Sequence, residues 1–225
     1  MSQFPLPRSY SRMLRQVVLA CVFVVSSAVF AQFFPKRDSI SRVSIGTAYA
    51  ALLLAGLALM IGPWNLLRSR PNPVSFNLRR DVGIWAGIAA IFHTAVGLNV
   101  HLRGQPWLYF VDEHYHLRTG MFGFGNEIGL VAALLFLMLL AISNDFSLRR
   151  LGTVKWKSLQ RWTYVAAVLT AAHAVAYQNV EKRTLPFRIL LYAVCAAILA
   201  LQIAGVRTRL KHALIKKYEL IDRAQ

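Results

Sequence analysis

SLQRWTYVAAVLTAAHAVAY, residues 158–177, begins in a basic, aromatic collar and then runs apolar until one histidine, His173, interrupts it. A segment of that length and composition reads as a membrane-crossing helix. An ionisable or ligating side chain inside such a helix is expensive, so it marks a function by default. The rest of the chain must supply the solvent and a partner for His173.

The solvent is a bilayer. Of the 225 residues 56% are hydrophobic and the mean hydropathy is +0.46, above the range of soluble domains. Six apolar segments can be marked, at about 17–34, 43–64, 82–102, 128–142, 162–177 and 187–206, several near the roughly 20 residues that cross a bilayer. Backbone groups in lipid have no water to bond, so each crossing should be helical, and the absence of short alternating segments argues against a barrel. The expected fold is all-α, a polytopic six-helix bundle. Residues 17–206 form the membrane domain, 1–16 the cytoplasmic N-terminus and 207–225 a basic cytoplasmic tail.

The formal charge of +17 could signal nucleic acid, but the cations lie between the apolar runs, which is the pattern of membrane orientation. One alternate set of segments, the N-terminus, the second loop (Arg68, Arg70, Arg79, Arg80), the fourth loop (Arg149, Arg150, Lys155, Lys157, Arg161) and the tail, holds 18 of the 26 Lys and Arg. Both termini of this multi-pass protein should therefore be cytoplasmic. The first segment reads as a retained helix, because the apolar run continues through Phe33 and Phe34; a signal peptide cleaved after Val29-Phe30-Ala31 is the competing reading.

Pro71 and Pro73 make the second loop a turn. In the long third loop Trp107, Tyr109 and Phe110 are expected interfacial aromatics, with a flexible glycine-rich stretch leading into the fourth helix. The tail suits a short basic amphipathic helix or an extension of the sixth crossing. Cys21 and Cys195 sit in apolar runs without metal-ligand spacing and read as small buried hydrophobes. No nucleotide fingerprint, P-loop, zincin or nucleophile-elbow motif is present, so electrons handled here must come from another protein.

His93 lies 11 residues after Val82 and His173 lies 12 after Arg161, about 16 and 18 Å along helices that both run outward from the cytoplasm. Two imidazoles at one depth are what a bis-histidine heme requires, and the alanines and glycines around both leave room for a flat porphyrin. A helix-to-helix hydrogen bond is the alternative use of either residue. His101, eight positions past His93, is a further candidate ligand or a hydrated interfacial residue. His114 and His116, beside Asp112 and Glu113, match no structural zinc pattern and read as a solvated loop; His212 belongs to the tail.

The runs LRRDVGIWAGIAAIFHTAVG (78–97) and SNDFSLRRLGTVKWKSLQRWTYVAAVLTAAH (143–173) resemble the ferric reductase-like transmembrane family. The likeness is strongest to its branch of heme-bearing membrane subunits of periplasmic methionine sulfoxide reductase systems. The resemblance covers roughly the second through sixth helices. It implies six helices and a b-type heme between the third and fifth, with His93 and His173 as iron ligands. It also implies electrons from a cytoplasmic flavin reductase, carried by FMN or another flavin, to an extracytoplasmic oxidoreductase, so that this chain would be the oxidoreductase's membrane subunit. Where the family usually has another histidine, this chain has Gln160, a poor heme ligand, so one heme is expected and a second only through His101. A cofactor-free membrane scaffold or assembly factor is the alternative function. A proton-coupled transporter is disfavoured by the scarcity of carboxylates in the crossings.

Overall fold

A computed structural model describes residues 8–69, 77–102 and 105–222. Pro71 and Pro73, expected to form the second turn, lie outside them. Seven long α-helices account for most of the described residues: α1 (Arg8–Gln32), α2 (Ser39–Leu67), α3 (Asn77–Gly97), α4 (Gly120–Ile142), α5 (Asp145–Gln160), α6 (Trp162–Val180) and α7 (Leu185–Asp222). The protein is all-α; among the described residues, β pairing amounts to an isolated bridge between Val111 and Leu117.

Four of these helices, α1, α2, α4 and α7, are long and apolar enough to cross a membrane by composition. Their outward faces carry exposed apolar residues such as Val24, Val25, Leu134 and Leu199, which in water would be a liability and in lipid are the expected surface. Three fall short: α5, at 16 residues, and α3 and α6, which bear His93 and His173. Polar content lowers the hydropathy of α3 and α6. At 21 and 19 residues, each still extends about 30 Å.

The chain winds antiparallel through α1, α2, α3 and α4. Gly46 of α2 lies under Ser27 of α1, and a Cβ there would overlap the Ser27 carbonyl oxygen, so glycine is what lets the two backbones approach. Val82, Ala86 and Ala89 of α3 pack with Ala50, Leu54 and Ala58 of α2 and Phe23 of α1. Phe136 and Leu139 of α4 pack with Ala166 of α6. α3 is seated mainly on α2, and α6 mainly on α4, while α3 and α6 scarcely touch each other. That separation leaves a cavity between them.

Pro63 illustrates how the bundle satisfies its backbone. It lies inside α2 and has no N–H to give the carbonyl four residues earlier, so the Leu59 oxygen would be an orphan in lipid. Gln202 of α7 donates its Nε2 to that oxygen at 3.0 Å, which explains an amide in the middle of an otherwise apolar helix. At the arginine-rich end Asp81 of α3 is fully buried; Arg15 of α1 donates to it at 3.1 Å and Arg12 stands at 3.6 Å. Arg80 bonds Asp145 at the start of α5, and that guanidinium holds the Asp145 carboxyl below the usual carboxylate range.

Several expectations change. The fourth apolar segment begins at Gly120 rather than near residue 128, and its glycine-rich start is ordered helix, not a flexible lead-in. Gly123 is buried there, where a Cβ would overlap the Arg118 carbonyl oxygen. Tyr109 is 2% exposed and so is not an interfacial anchor. Much of the fourth loop is the helix α5, broken at Gly152, whose φ of 70° carries no Cβ penalty. The tail continues α7 without interruption to Asp222, and Cys21 faces outward from the bundle rather than into its core.

The Pro63 arrangement yields a first prediction. Gln202→Leu should lower unfolding stability in detergent by about 1–2 kcal/mol, because it strands the Leu59 carbonyl. In a Pro63→Ala background, where the new backbone N–H can bond that carbonyl within the helix, the same change should cost measurably less.

Candidate functional site

The cavity between α2, α3, α4 and α6 is walled by small residues, among them Ala48, Ala51, Ala90, Gly97, Gly129 and Ala133, with His93 and His173 projecting from opposite sides. The two imidazole centroids are 6.3 Å apart with planes 67° apart.

Each ring is held by its Nδ1. His93 Nδ1 lies 3.0 Å from the Ser44 carbonyl oxygen of α2, and His173 Nδ1 lies 2.7 Å from the Gly125 carbonyl oxygen of α4. A carbonyl can only accept, so in each ring Nδ1 carries the hydrogen and donates it. The remaining nitrogen, Nε2, keeps its lone pair. This is the carbonyl-oriented tautomer found in metal-ligating histidines.

Gly129 is what admits the His173 ring against α4. A Cβ at that position would overlap Nδ1 and lie 2.8 Å from Cε1. Tyr177, one turn along α6, lies tilted against His173 with ring centroids 4.8 Å apart and donates its hydroxyl to Asn126 Oδ1 at 2.6 Å. Asn126 in turn donates to the Tyr109 carbonyl at 3.0 Å. The Tyr109 hydroxyl accepts from the His101 backbone N–H at 2.7 Å and donates to the Gly97 carbonyl at 2.9 Å. The third loop is thus pinned over the end of α3.

His101 lies just past α3 in the cavity wall, with Nε2 3.3 Å from Glu181 Oε1. Arg37 reaches the other oxygen of Glu181 at 2.9 Å. His114 and His116 sit in an exposed turn whose backbone N–H groups both donate to Asp112, which draws that carboxyl below its usual range. Among the described residues no group of three or more His, Cys, Asp or Glu is arranged to hold a metal ion. Gln160, at the end of α5, donates to Ser143 Oγ at 3.2 Å and ties that helix to the end of α4.

Sequence reasoning did not single out Ser44, Gly125, Gly129, Asn126 or Tyr177. Ser44 and Gly125 act through backbone carbonyls, which leave no side-chain signature. Gly129 did carry a signal: a glycine inside an apolar helix costs stability and usually marks a close approach.

Apolar outer faces, helices of spanning length and a largely apolar cavity between two facing histidines define a multi-pass helical membrane protein with a buried site. The chain belongs to the family described as ferric reductase like transmembrane component, whose family model matches residues 42–171. That stretch runs from the first turn of α2 through the first half of α6, includes His93, and ends two residues before His173.

Among curated relatives, the protein-methionine-sulfoxide reductase heme-binding subunit MsrQ of Yersinia pseudotuberculosis serotype O:1b (strain IP 31758) is 28% identical over 173 residues, covering 74% of this chain and 75% of its own. The protein of the same name from Yersinia pestis (strain Pestoides F) is 28% identical, covering 74% of each chain. No solved structure matches.

The Tyr109 pin is testable. Tyr109→Phe removes a donor and an acceptor from buried backbone partners. It should cost about 1–3 kcal/mol and should raise amide hydrogen exchange in residues 98–119, with little change in α2 or α4.

Proposed function

We propose that this chain is a membrane electron carrier that holds one b-type heme through His93 and His173. It takes electrons from a cytoplasmic flavin reductase and passes them to an extracytoplasmic oxidoreductase of the methionine sulfoxide reductase kind. The observation that carries the reading is the histidine pair. A histidine nitrogen bonds a metal ion at about 2 Å and lies about 1.1 Å from its own ring centre, so two imidazoles on opposite sides of one ion have centroids about 6.2 Å apart. His93 and His173 stand at 6.3 Å, with both Nδ1 atoms bonded to carbonyls. A direct hydrogen bond between the two rings would draw them closer. The relatives' printed name, heme-binding subunit, agrees with this use.

When bound, the heme would supply a one-electron centre shielded from water. The chain's own part is to hold the ligands. The Ser44 and Gly125 carbonyls orient the imidazoles and raise their basicity; Gly129 gives His173 room; the alanine walls keep the slot flat and dry. Gln160 is bound to Ser143 and offers no nitrogen of ligand quality, which favours one heme over two.

In this reading α3 and α6 also cross the bilayer, making six crossings, with α5 on the cytoplasmic surface and both termini cytoplasmic in the inner membrane. Retention of α1 is supported by the buried Asp81, whose counter-cations Arg12 and Arg15 lie on that helix. The exposed cations of α5 are available to an acidic donor protein, whereas Arg80 of α3 is spent on Asp145.

The test is a reduced-minus-oxidised optical spectrum of the detergent-solubilised protein. Wild type should show a b-type band, His93→Ala and His173→Ala should each abolish most of it, and Gly129→Ala should weaken it by displacing His173. A wild-type protein without the band would leave the cofactor-free scaffold as the reading, and both alanine variants retaining it would refute His93 and His173 as the iron ligands.

A further inference from the structure

The cavity does not close above the histidines. It continues to a rim at the end of the bundle where α1 turns into α2 and α6 into α7, lined by Arg37, Tyr49, His101, Gln178, Glu181 and Arg183. Some of these groups are spent on one another. Glu181, whose side chain is 13% exposed, takes both Arg37 and His101.

Arg183 is not spent. The turn that carries it ends α6 through a left-handed Lys182 (φ 47°), and the Arg183 N–H closes back on the Gln178 carbonyl at 3.0 Å, which folds the residue over the cavity mouth. Its guanidinium is half-buried and lies over the Phe34 ring at 4.9 Å. Among the described residues it has no carboxylate within ion-pair distance. Burial lowers its pKa below the ordinary arginine value, with Glu181 only partly compensating. Beside it, the Tyr49 hydroxyl accepts from Gln178 Nε2 at 3.0 Å and has no acceptor for its own hydrogen among the described residues. A half-buried cation without a carboxylate and a buried hydroxyl without an acceptor both carry a cost, and a carboxylate would satisfy both.

The other end of the cavity offers the opposite environment. Leu52, Ala55, Ala90, Ala133 and Phe136 line it, with the Thr170 hydroxyl already donated to the Ala166 carbonyl. From His173 to the end of α6 at Val180 the helix rises about 10 Å, comparable to the reach from a porphyrin centre to its acid arms. With its ligands on α3 and α6, such a ring must stand along the helices, presenting one edge to the rim and one to the apolar end.

The geometry points to Arg183 and Tyr49 as the anion site that binds the carboxylate arms of the porphyrin and so fixes which edge of the ring faces outward. The inference rests on the heme reading above. Arg183 is the charge partner and Tyr49 the neutral donor; Arg37 and His101, both turned to Glu181, frame the mouth.

The experiment titrates the solubilised full chain, prepared free of heme, with heme b and with its dimethyl ester, whose carboxylates are masked. Wild type should bind heme b about tenfold more tightly than the diester, as expected for a charge-assisted hydrogen bond in a partly buried site. Arg183→Gln should erase most of that preference by weakening heme b alone, Arg183→Lys should restore part of it, and Tyr49→Phe should give a smaller loss in the same direction. Equal wild-type affinity for the two porphyrins overturns the proposal, and so does an Arg183→Gln variant that weakens both alike. The wild-type comparison needs no variant to fold. Failure of wild type to bind either porphyrin would refute the heme reading itself, an outcome distinct from loss of the preference alone.

Discussion

The site depends on two hydrogen bonds from imidazole Nδ1 atoms to backbone carbonyls of neighbouring helices. A helical carbonyl already accepts from the N–H four residues on, but its second lone pair remains available. Ser44 and Gly125 lend that lone pair across a helix interface. In a medium without water this fixes the tautomer, the ring orientation and the direction of each free nitrogen at once. The helix pairings then follow: α2 must lie against α3 to present Ser44, and α4 against α6 to present Gly125. With each histidine-bearing helix seated on the helix whose carbonyl it bonds, α3 and α6 are left facing one another across a gap.

The same economy of polar groups explains the unusual residues elsewhere. Gln202 answers the carbonyl freed by Pro63, and the hydroxyls of Thr94 and Thr170 bond the carbonyls one turn back in their own helices. Asp81, buried where α3 begins, is met by two arginines from α1. Each is a polar group that lipid would penalise unless paired. Pairing is not complete among the described residues: Ser27 Oγ, Arg80 Nε, Asp81 Oδ1, Gln178 Oε1 and Arg188 Nε are buried without a hydrogen-bond partner, and at the rim Arg183 lacks a carboxylate and Tyr49 an acceptor, a match that a bound anion would complete.

α3 and α6 are also the least apolar of the long helices that form the bundle's core. Their hydropathy is lowered by Arg79, Arg80, Asp81 and His93 on one and by His173, Gln178 and Asn179 on the other, of which His93, His173 and Gln178 line the cavity. The four strongly apolar helices surround or support them and meet the lipid with their outer faces. Function and membrane residence are thus divided among helices rather than shared by each.

What could be read from the sequence was what depends on local spacing. Helix rise is fixed, so the depths of His93 and His173 followed from counting residues, and the all-α membrane character followed from composition and the placement of cations. The family resemblance rested on the same contiguous runs. Tertiary structure alone decided the rest. Which carbonyl each histidine would find depends on the azimuth of one helix against another, and Ser44 and Gly125 act through atoms every residue possesses. Tyr109, read as a membrane anchor, became a buried pin because its hydroxyl could reach a helix end distant in sequence. Arg183 counted only as one more cation until the turn after α6 folded it over the cavity, since a charge becomes a binding group only when packing removes its other partners.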